Sequence, residues 1–517
     1  MKNYLSKIIK AEQIVKLEGK FPRQKNKLSM CHGVFDLVHP GHIRHLSYAK
    51  SMCDKLIVSI TSDIHVTKAE LRPYVPEKLR AENLAALEFV DYVIIDKNET
   101  PSLNLKKIKP DYFVKGYEYS KINNNNYNNN KTKEEMNILQ SYGGKFLFTP
   151  GDYVLSSSKI IDSEKPDLSL PKLKSLMEGE KIDFDDLFKT IDKFNKCDVL
   201  VIGDTIIDTY VETSLIGNNA KTPTFSTKYV GETRYIGGAA IVASHLKAAG
   251  ANVKFCSVLG DDKDADYVKK ELKKNKIKDL TFKDSSRPTT DKRYYISENY
   301  RLLKVDRVEN FPVDKKILNK IIKIIQNHKK GIIIFSDFRH GIFSKASIPE
   351  LKKAIQKNVF KVGDSQVASR WGNILEFDNF DLITPNEKET RFALGDQDTG
   401  VRPLASKLYE KAKCKTLIFK LGSNGILTLR RKIQKNDVRS FFVIDALEKN
   451  AIDPVGCGDA LIAYASLALY VSKNSVISSI IGSVSASIMA RINGNYPISK
   501  KNVREKIVTI SMELKHL

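Results

Sequence analysis

No stretch of the 517-residue sequence approaches the run of about 18 or more apolar residues that a membrane-spanning helix needs. The segment that comes nearest, 481–490, is interrupted by Ser and Gly. The opening residues, MKNYLSKIIKAEQIVKLEGK, are charged throughout and have no apolar core followed by a small-residue cleavage site. A soluble, cytoplasmic protein with no membrane partner is expected. Cysteine is scarce. The six residues at 31, 53, 197, 256, 414 and 457 show neither paired metal-ligand spacing nor a disulfide-dense pattern. Reduced thiols are expected, several of them small buried hydrophobes. A basic arm and a base-stacking motif are also missing. Lys and Arg total 85 against 61 Asp and Glu, a net charge of +24, but the positive residues are spread along the chain. Nucleic acid is therefore not an expected partner, and anionic small substrates such as nucleotides and sugar phosphates suit the charge.

What is present is enough for large packed interiors: 42% hydrophobic and 9% aromatic residues. The length exceeds one ordinary core and suggests two domains, of roughly 150 and 300 residues. Two stretches alternate apolar β-rich runs with helix-length segments, the pattern of βα units around a mostly parallel sheet. The first carries strands at 27–35, 55–61, 91–96, 111–116 and 144–150. Inside it lies INNNNYNNN (122–130), a polar run read as a mobile surface insertion. The second begins at CDVLVIGD (197–204) and continues through 331–337, 381–385, 416–422 and 425–430, turning mostly helical after Gly458. Residues 209–235 and 289–308 alternate Thr, Tyr and Val and could form a small separate sheet. The expected organisation is a helical extension (1–26), a first domain (27–162), a linker with a helix (163–196) and a second domain (197–517).

The first constellation is HGVFDLVHPGH (32–42). A strand ending at Phe35, a turn from Asp36 and a helix opening at His42 aim backbone N–H groups and a positive dipole end at one point, where a phosphate can sit. His39 and His42 bracket Pro40-Gly41 there, and Lys50, about two turns along, could reach the same anion. This suits nucleotidyl transfer, in which a phosphate oxygen attacks the α-phosphorus of a nucleoside triphosphate. Such a reaction needs positioning and charge stabilisation rather than a covalent nucleophile. These residues resemble the cytidylyltransferase-like family over roughly 27–162. The resemblance implies nucleotide contacts from Gly33 and Phe35 and substrate contacts from Asp36 and Lys115. It further implies a triphosphate-binding Arg80, with Arg72 as second candidate, and phosphate-binding hydroxyls at Ser156, Ser157 and Ser158. Mg²⁺ would ride on the triphosphate.

The second constellation is DPVGCGDA (453–460). Glycines before a long apolar helix let backbone N–H groups crowd an anion. Asp459 can then take the proton of a hydroxyl attacking a γ-phosphate. The segment resembles the signature of PfkB/ribokinase-type carbohydrate kinases, over 197 to about 500. The resemblance implies an anion site at Gly456, Cys457 (backbone only) and Gly458, with Gly422 beside the nucleotide. Sugar contacts would come from Asp204, Asp208, Gly237 and Gly238, and Asn386 and Glu389 of TPNEKE would organise the Mg²⁺ waters. Ile241 stands where that family has Asn, and DSQVASRW (364–371) replaces its DPKG-like run.

The expected fold is α/β throughout: an N-terminal Rossmann-like nucleotidyltransferase and a C-terminal ribokinase-like domain with a small projecting β-sheet lid. The pairing resembles bifunctional enzymes of the ADP-heptose synthase type, with domain order reversed. It implies a heptose 7-phosphate-like sugar, ATP (with CTP open for the first domain) and Mg²⁺, and a homodimer formed through the lid. Activation of another sugar or polyol phosphate with CTP or ATP, and a regulatory protein with a decayed kinase site, are the alternatives.

Overall fold

The computed structural model describes residues 4–23, 25–66, 73–116, 127–149, 168–218, 224–298, 300–366, 372–431 and 440–515. Arg72, Ser156, Ser157 and Ser158 lie outside them. The chain divides into two compact units, Met1–Ser175 and Leu176–Leu517.

The first unit is built on β1 (Leu28–Gly33), β2 (Lys55–Thr61), β3 (Tyr92–Asp96), β4 (Tyr112–Lys115) and β5 (Lys145–Phe148). They pair in the order β3-β2-β1-β4-β5, every neighbour parallel. This is the expected Rossmann-like sheet. Its strands are apolar runs because parallel sheets are covered on both faces, and Met30, Cys31, Ile57 and Val58 are all fully buried. The N-terminal helix, Ala11–Glu18, is part of this core, with Ile14 fully buried. Residues 122–126 of the asparagine run lie outside the described residues, and its last four, 127–130, open the helix Tyr127–Gln140. That helix is anchored downstream, where Ile138 and Leu139 enter the core.

The second unit contains a nine-stranded sheet. Strands Asn252–Cys256, Asp198–Gly203, Gly331–Asp337, Val359–Ser365, Leu382–Ile383 and Thr416–Lys420 run parallel in that spatial order. Ile426–Arg430 and Phe441–Ile444 add antiparallel edges. Every residue of Gly331–Asp337 is buried. Helices Cys457–Ser472 and Ser475–Met489 are apolar nearly all round and are accordingly interior. A separate four-stranded sheet forms from Tyr300–Arg307, Asp291–Ser297, Thr205–Asn218 and Phe225–Gly238. It is the alternating region expected at 209–235 and 289–308. Among the described residues no helix is long and apolar enough to cross a membrane.

Candidate active sites

In the first unit, Pro40 occupies the first turn of helix Pro40–Ser51 and His39 is its N-cap, Nδ1 accepting from the Gly41 N–H at 3.1 Å. The neutral His39 ring therefore carries its proton on Nε2, available as a donor. His42 stacks on His39, ring centroids 3.8 Å apart, and its Nδ1 donates to the Leu37 carbonyl at 3.0 Å. Its Nε2 is thus the acceptor nitrogen of the neutral ring. Burial lowers the pKa of both, His42 to about 4, where the neighbouring His39 adds to the effect. Two further histidines belong to this end of the sheet. His45 Nδ1 meets Thr149 Oγ1 at 2.6 Å, and His32 bonds Ser59 and Thr61.

Several expected contacts lie elsewhere. Phe35, at φ 48, turns its ring into the core edge-on against His42, and a Cβ on Gly33 would sit 3.2 Å from that ring. Asp36 is buried, its two oxygens accepting from the Tyr74 and Val75 N–H groups. It shapes the 74–75 segment rather than facing solvent. Lys115, ending β4, pairs with Glu135 and donates to Thr132. Lys50 does not reach the histidine end. The helix carries it some 11 residues past His39, roughly 16 Å along the axis, where it bonds Asp91 Oδ2 and the Asp54 carbonyl at 2.6 Å each. Arg80 is likewise no free triphosphate ligand. Fully buried, it spends four of its five N–H groups on the carbonyls of Val75, Val34 and Thr61 and on Asp63.

In the second unit the charged side chains gather at the carboxyl ends of the parallel strands, where open α/β sheets hold ligands. Gly456 (φ 82) is the N-cap of helix Cys457–Ser472, and Asp459 stands in its first turn. The Cys457 N–H, expected at the anion, instead donates to the Pro454 carbonyl at 3.3 Å. Gly458 and Asp459 keep N–H groups with no acceptor within the helix. A Cβ on Gly458 would lie 3.4 Å from Lys420 Nζ. Lys420, the last residue of its strand, bonds both Asp364 oxygens at 3.1 and 3.3 Å. Burial works against its charge, yet Asp364, Glu389 and Asp459 outweigh it and raise its pKa. Burial pushes the Asp459 carboxyl up to about 7, with Asp364 adding and Lys420 opposing. A carboxyl poised there is suited to general-base work.

Asn386 and Glu389 form a closed capping box. Asn386 donates from its N–H and Nδ2 to the two Glu389 oxygens at 2.7 Å each, and accepts from the Glu389 N–H at 2.8 Å. Burial raises the Glu389 carboxyl to about 7. Among the described residues no group of three or more His, Cys, Asp or Glu could hold a metal. This donor set fits an ion ligated by nucleotide phosphates and water better than one caged by protein.

Asp208 Oδ2, expected at the sugar, accepts from Asn495 Nδ2 at 2.8 Å, and burial raises the carboxyl to about 6. A Cβ on Gly237 would meet that same oxygen at 2.2 Å, and one on Gly456 would meet Asn495 Oδ1 at 2.5 Å. Asn495 thus joins Asp208 to the GCGD turn. Asp204 is committed to backbone, accepting from Phe338, His340 and Ile342 N–H groups. Gly238 (φ 59) packs on the Asp204 carbonyl, and Gly422 (φ 59) has open space around it. Ile241 is fully buried in an apolar helix face. Lys420, Asp364, Asn495 and Lys292 were not among the expected residues. The signal that marks Asp364 and Lys420 is a charged residue closing an apolar strand, as Asp204 and Asp337 also do.

The comparisons with known proteins agree with this layout. The description "Cytidylyltransferase-like" matches residues 30–163, and "pfkB family carbohydrate kinase" matches residues 196–500. The chain is similar to the bifunctional protein HldE of Desulfatibacillum aliphaticivorans, 25% identical over 61% of this chain and 64% of that protein. Against HldE of Campylobacter fetus it is 29% identical over 56% of this chain and 62% of that protein. Against HldE of Nitrobacter hamburgensis it is 45% identical over 18% of this chain and 20% of that protein. The matched stretches therefore span less than two thirds of these relatives, and the domain order is reversed relative to their usual layout. Among solved structures, phosphofructokinase-2 from Escherichia coli in complex with potassium superposes with a TM-score of 0.51. It is 16% identical, over 61% of this chain and 99% of that one, a likeness of fold. With more than half its length matched by that description, the chain belongs to the pfkB family of carbohydrate kinases and carries a cytidylyltransferase-like domain ahead of the kinase.

Proposed function

We propose that the chain is a bifunctional enzyme of nucleotide-activated sugar synthesis. Its kinase domain phosphorylates the anomeric hydroxyl of a heptose 7-phosphate-like sugar with ATP, and its first domain transfers a nucleotidyl group from ATP to the sugar 1-phosphate. The observation that carries this reading is Asp459. It stands in the first turn of a helix behind a left-handed glycine, with its carboxyl raised to about 7. In the kinase step Asp459 takes the hydroxyl proton as the sugar oxygen bonds the γ-phosphorus and the β–γ bridge leaves with ADP. Gly458 and Asp459 N–H groups and Lys420 face the transferring phosphoryl charge. Mg²⁺ on the nucleotide phosphates would neutralise charge there, with Asn386, Glu389 and Asp364 disposed to order its waters.

In the transferase step a sugar 1-phosphate oxygen bonds the α-phosphorus, and pyrophosphate leaves. His39 Nε2–H donates to the phosphate oxygens. His42 becomes a second donor when the charge of the arriving anion raises its pKa and Nε2 takes up a proton from solvent. The dimer assigned to the lid is supported by that sheet's exposed apolar side chains. Ile216, Phe225, Tyr229 and Val230 are each more than half exposed, a patch suited to a second copy of the same sheet.

Supplying an aldoheptose 7-phosphate and ATP tests the first step by ADP release. Supplying the heptose 1-phosphate with ATP or CTP tests the second by pyrophosphate release. Asp459→Asn should abolish the first and spare the second, and His42→Ala the reverse. Loss of both activities from either folded variant would overturn the two-site reading.

A further inference from the structure

The turn that follows strand Gly331–Asp337 presents one side chain under unusual constraint. Arg339 stands at φ 58, a left-handed conformation that a non-glycine residue keeps only where its surroundings over-determine it. They do so here. Asp204 accepts from the Phe338 and His340 N–H groups at 3.1 Å each, and Asp337 accepts from the Arg339 N–H and Nε at 2.8 Å each. Arg287 Nη1 donates to the His340 carbonyl at 3.0 Å. The residue so presented, His340, is 6% exposed, yet neither Nδ1 nor Nε2 has a hydrogen-bond partner among the described residues. A buried ring with two orphan nitrogens is costly unless something arrives to satisfy it.

The surroundings say what that is. The Phe338 ring lies 6.3 Å from the His340 ring and 5.8 Å from Lys292 Nζ, so the imidazole and the ammonium both neighbour that ring, near enough to feel each other's charge. The charged groups that His340 feels are Asp204, Lys292, Asp306 and Lys304. Asp204 is spent on backbone N–H groups, and Asp306 is held by Lys304 at 2.9 Å. Lys292 sits opposite Asp208 in the lid register, beside the sugar carboxylate, and makes no ion pair among the described residues. A sugar hydroxyl would satisfy the imidazole and leave the ammonium alone. A phosphate would satisfy both, the ring taking up a proton beside it.

We propose that His340 and Lys292 bind the non-reacting phosphate of a phosphorylated sugar, which makes His340 a specificity-determining residue of the kinase site. The proposal rests on the kinase reading for the identity of the ligand, but its test needs no turnover. Calorimetry on the full chain compares an aldoheptose 7-phosphate with the same heptose lacking the phosphate. The wild type should bind the phosphate form at least about tenfold tighter. His340→Ala should lose about tenfold to a hundredfold for the phosphate form and little for the neutral sugar, the size of one hydrogen bond to a charged group. His340→Lys should restore binding where His340→Gln does not.

Recovery by His340→Gln but not His340→Lys would overturn the assignment in favour of a hydroxyl contact. Equal affinity for the two sugars, or no binding of the phosphate form, would overturn it outright. If a His340 variant fails to fold, Lys292→Met must show the same selective loss, and its absence counts against the proposal. Intact discrimination with no ADP release would instead remove the kinase reading and leave His340 standing.

Discussion

Lys420 Nζ lies 3.1 Å from Asp364 Oδ1, and this ion pair stands against the turn that carries Asp459. Burial and Asp364 promote protonation of the Asp459 carboxyl, and Lys420 resists it more than the other nearby cation, Lys292. A general base acts only when deprotonated. The kcat/KM of the kinase step should therefore rise with pH through an inflection near the Asp459 value of about 7. Lys420→Met removes the opposing charge and should move that inflection upward by about one unit, the usual effect of a close opposite charge. An inflection that stays in place would show that Asp459 is not the titrating group.

A glycine makes room for the Asp208 carboxylate. Alanine at 237 would place a Cβ 2.2 Å from Asp208 Oδ2, far inside contact, so the carboxylate must leave its bond to Asn495. Gly237→Ala should raise the sugar KM at least about tenfold, as expected when a charged hydrogen-bonding group is displaced. On the same strand, a Cβ added to Gly231 would meet nothing within 4 Å. Gly231→Ala should leave the kinase unchanged. Equal effects of the two substitutions would mean that Asp208 is not the sugar contact.

Both sheets were legible in the sequence because buried parallel strands are unbroken apolar runs, and Leu28–Gly33 and Gly331–Asp337 are such runs. The helix start was legible to within a few residues: expected at His42, it lies at Pro40, since proline is favoured in a first turn and His39 caps it. The bonds that Arg80 and Lys50 make were not legible, because local sequence does not say where a long side chain finds its partners. Arg80 meets Val34, Thr61 and Asp63, and Lys50 meets Asp91, all brought close only by the sheet. Lys420 and Asp364 escaped notice for the same reason. A single charge after a strand reads as an ordinary strand end until topology sets several such ends side by side.

Arg80 and Lys50 should separate in stability. Removing Arg80 takes this donor from three carbonyls and breaks its ion pair with the part-exposed Asp63. Arg80→Met should cost about 3–5 kcal/mol, as for a broken buried pair. Lys50 is part-exposed at the surface pair with Asp91, so Lys50→Met should cost under about 1 kcal/mol. Urea midpoints of the two variants give the comparison. Lys50→Met should also retain nucleotidyl transfer, and a stable but inactive Lys50→Met would return that lysine to the phosphate site.

The histidine cluster makes the first unit acid-sensitive by a route that can be read before carboxylates titrate. Burial lowers His32 to about 3 and His42 and His45 to about 4, so all three are neutral in the folded protein at pH 7. In the unfolded chain a histidine takes up its proton near pH ~6.5. Between that pH and about 4 the unfolded state binds more protons, so stability rises with pH across this window. It is fully present above pH ~6.5 and is lost progressively as pH falls toward the folded values. Hydrogen exchange of the β1 and β2 amides, taken at steps from pH 7 to 5, should report this loss after correction for intrinsic exchange. His45→Gln removes one of the three titrating rings while keeping a hydrogen-bonding partner for Thr149, and should flatten the dependence. A nucleoside triphosphate should oppose it, because an anion at His39 and His42 stabilises the protonated rings that acid would otherwise force open. Protection by triphosphate that is stronger at pH 5.5 than at pH 7.5, and absent in His42→Gln, would tie the same two rings to folding and to phosphate. Exchange that is flat from pH 7 to 5 would remove the histidines from the account of stability and leave their stacking as geometry alone.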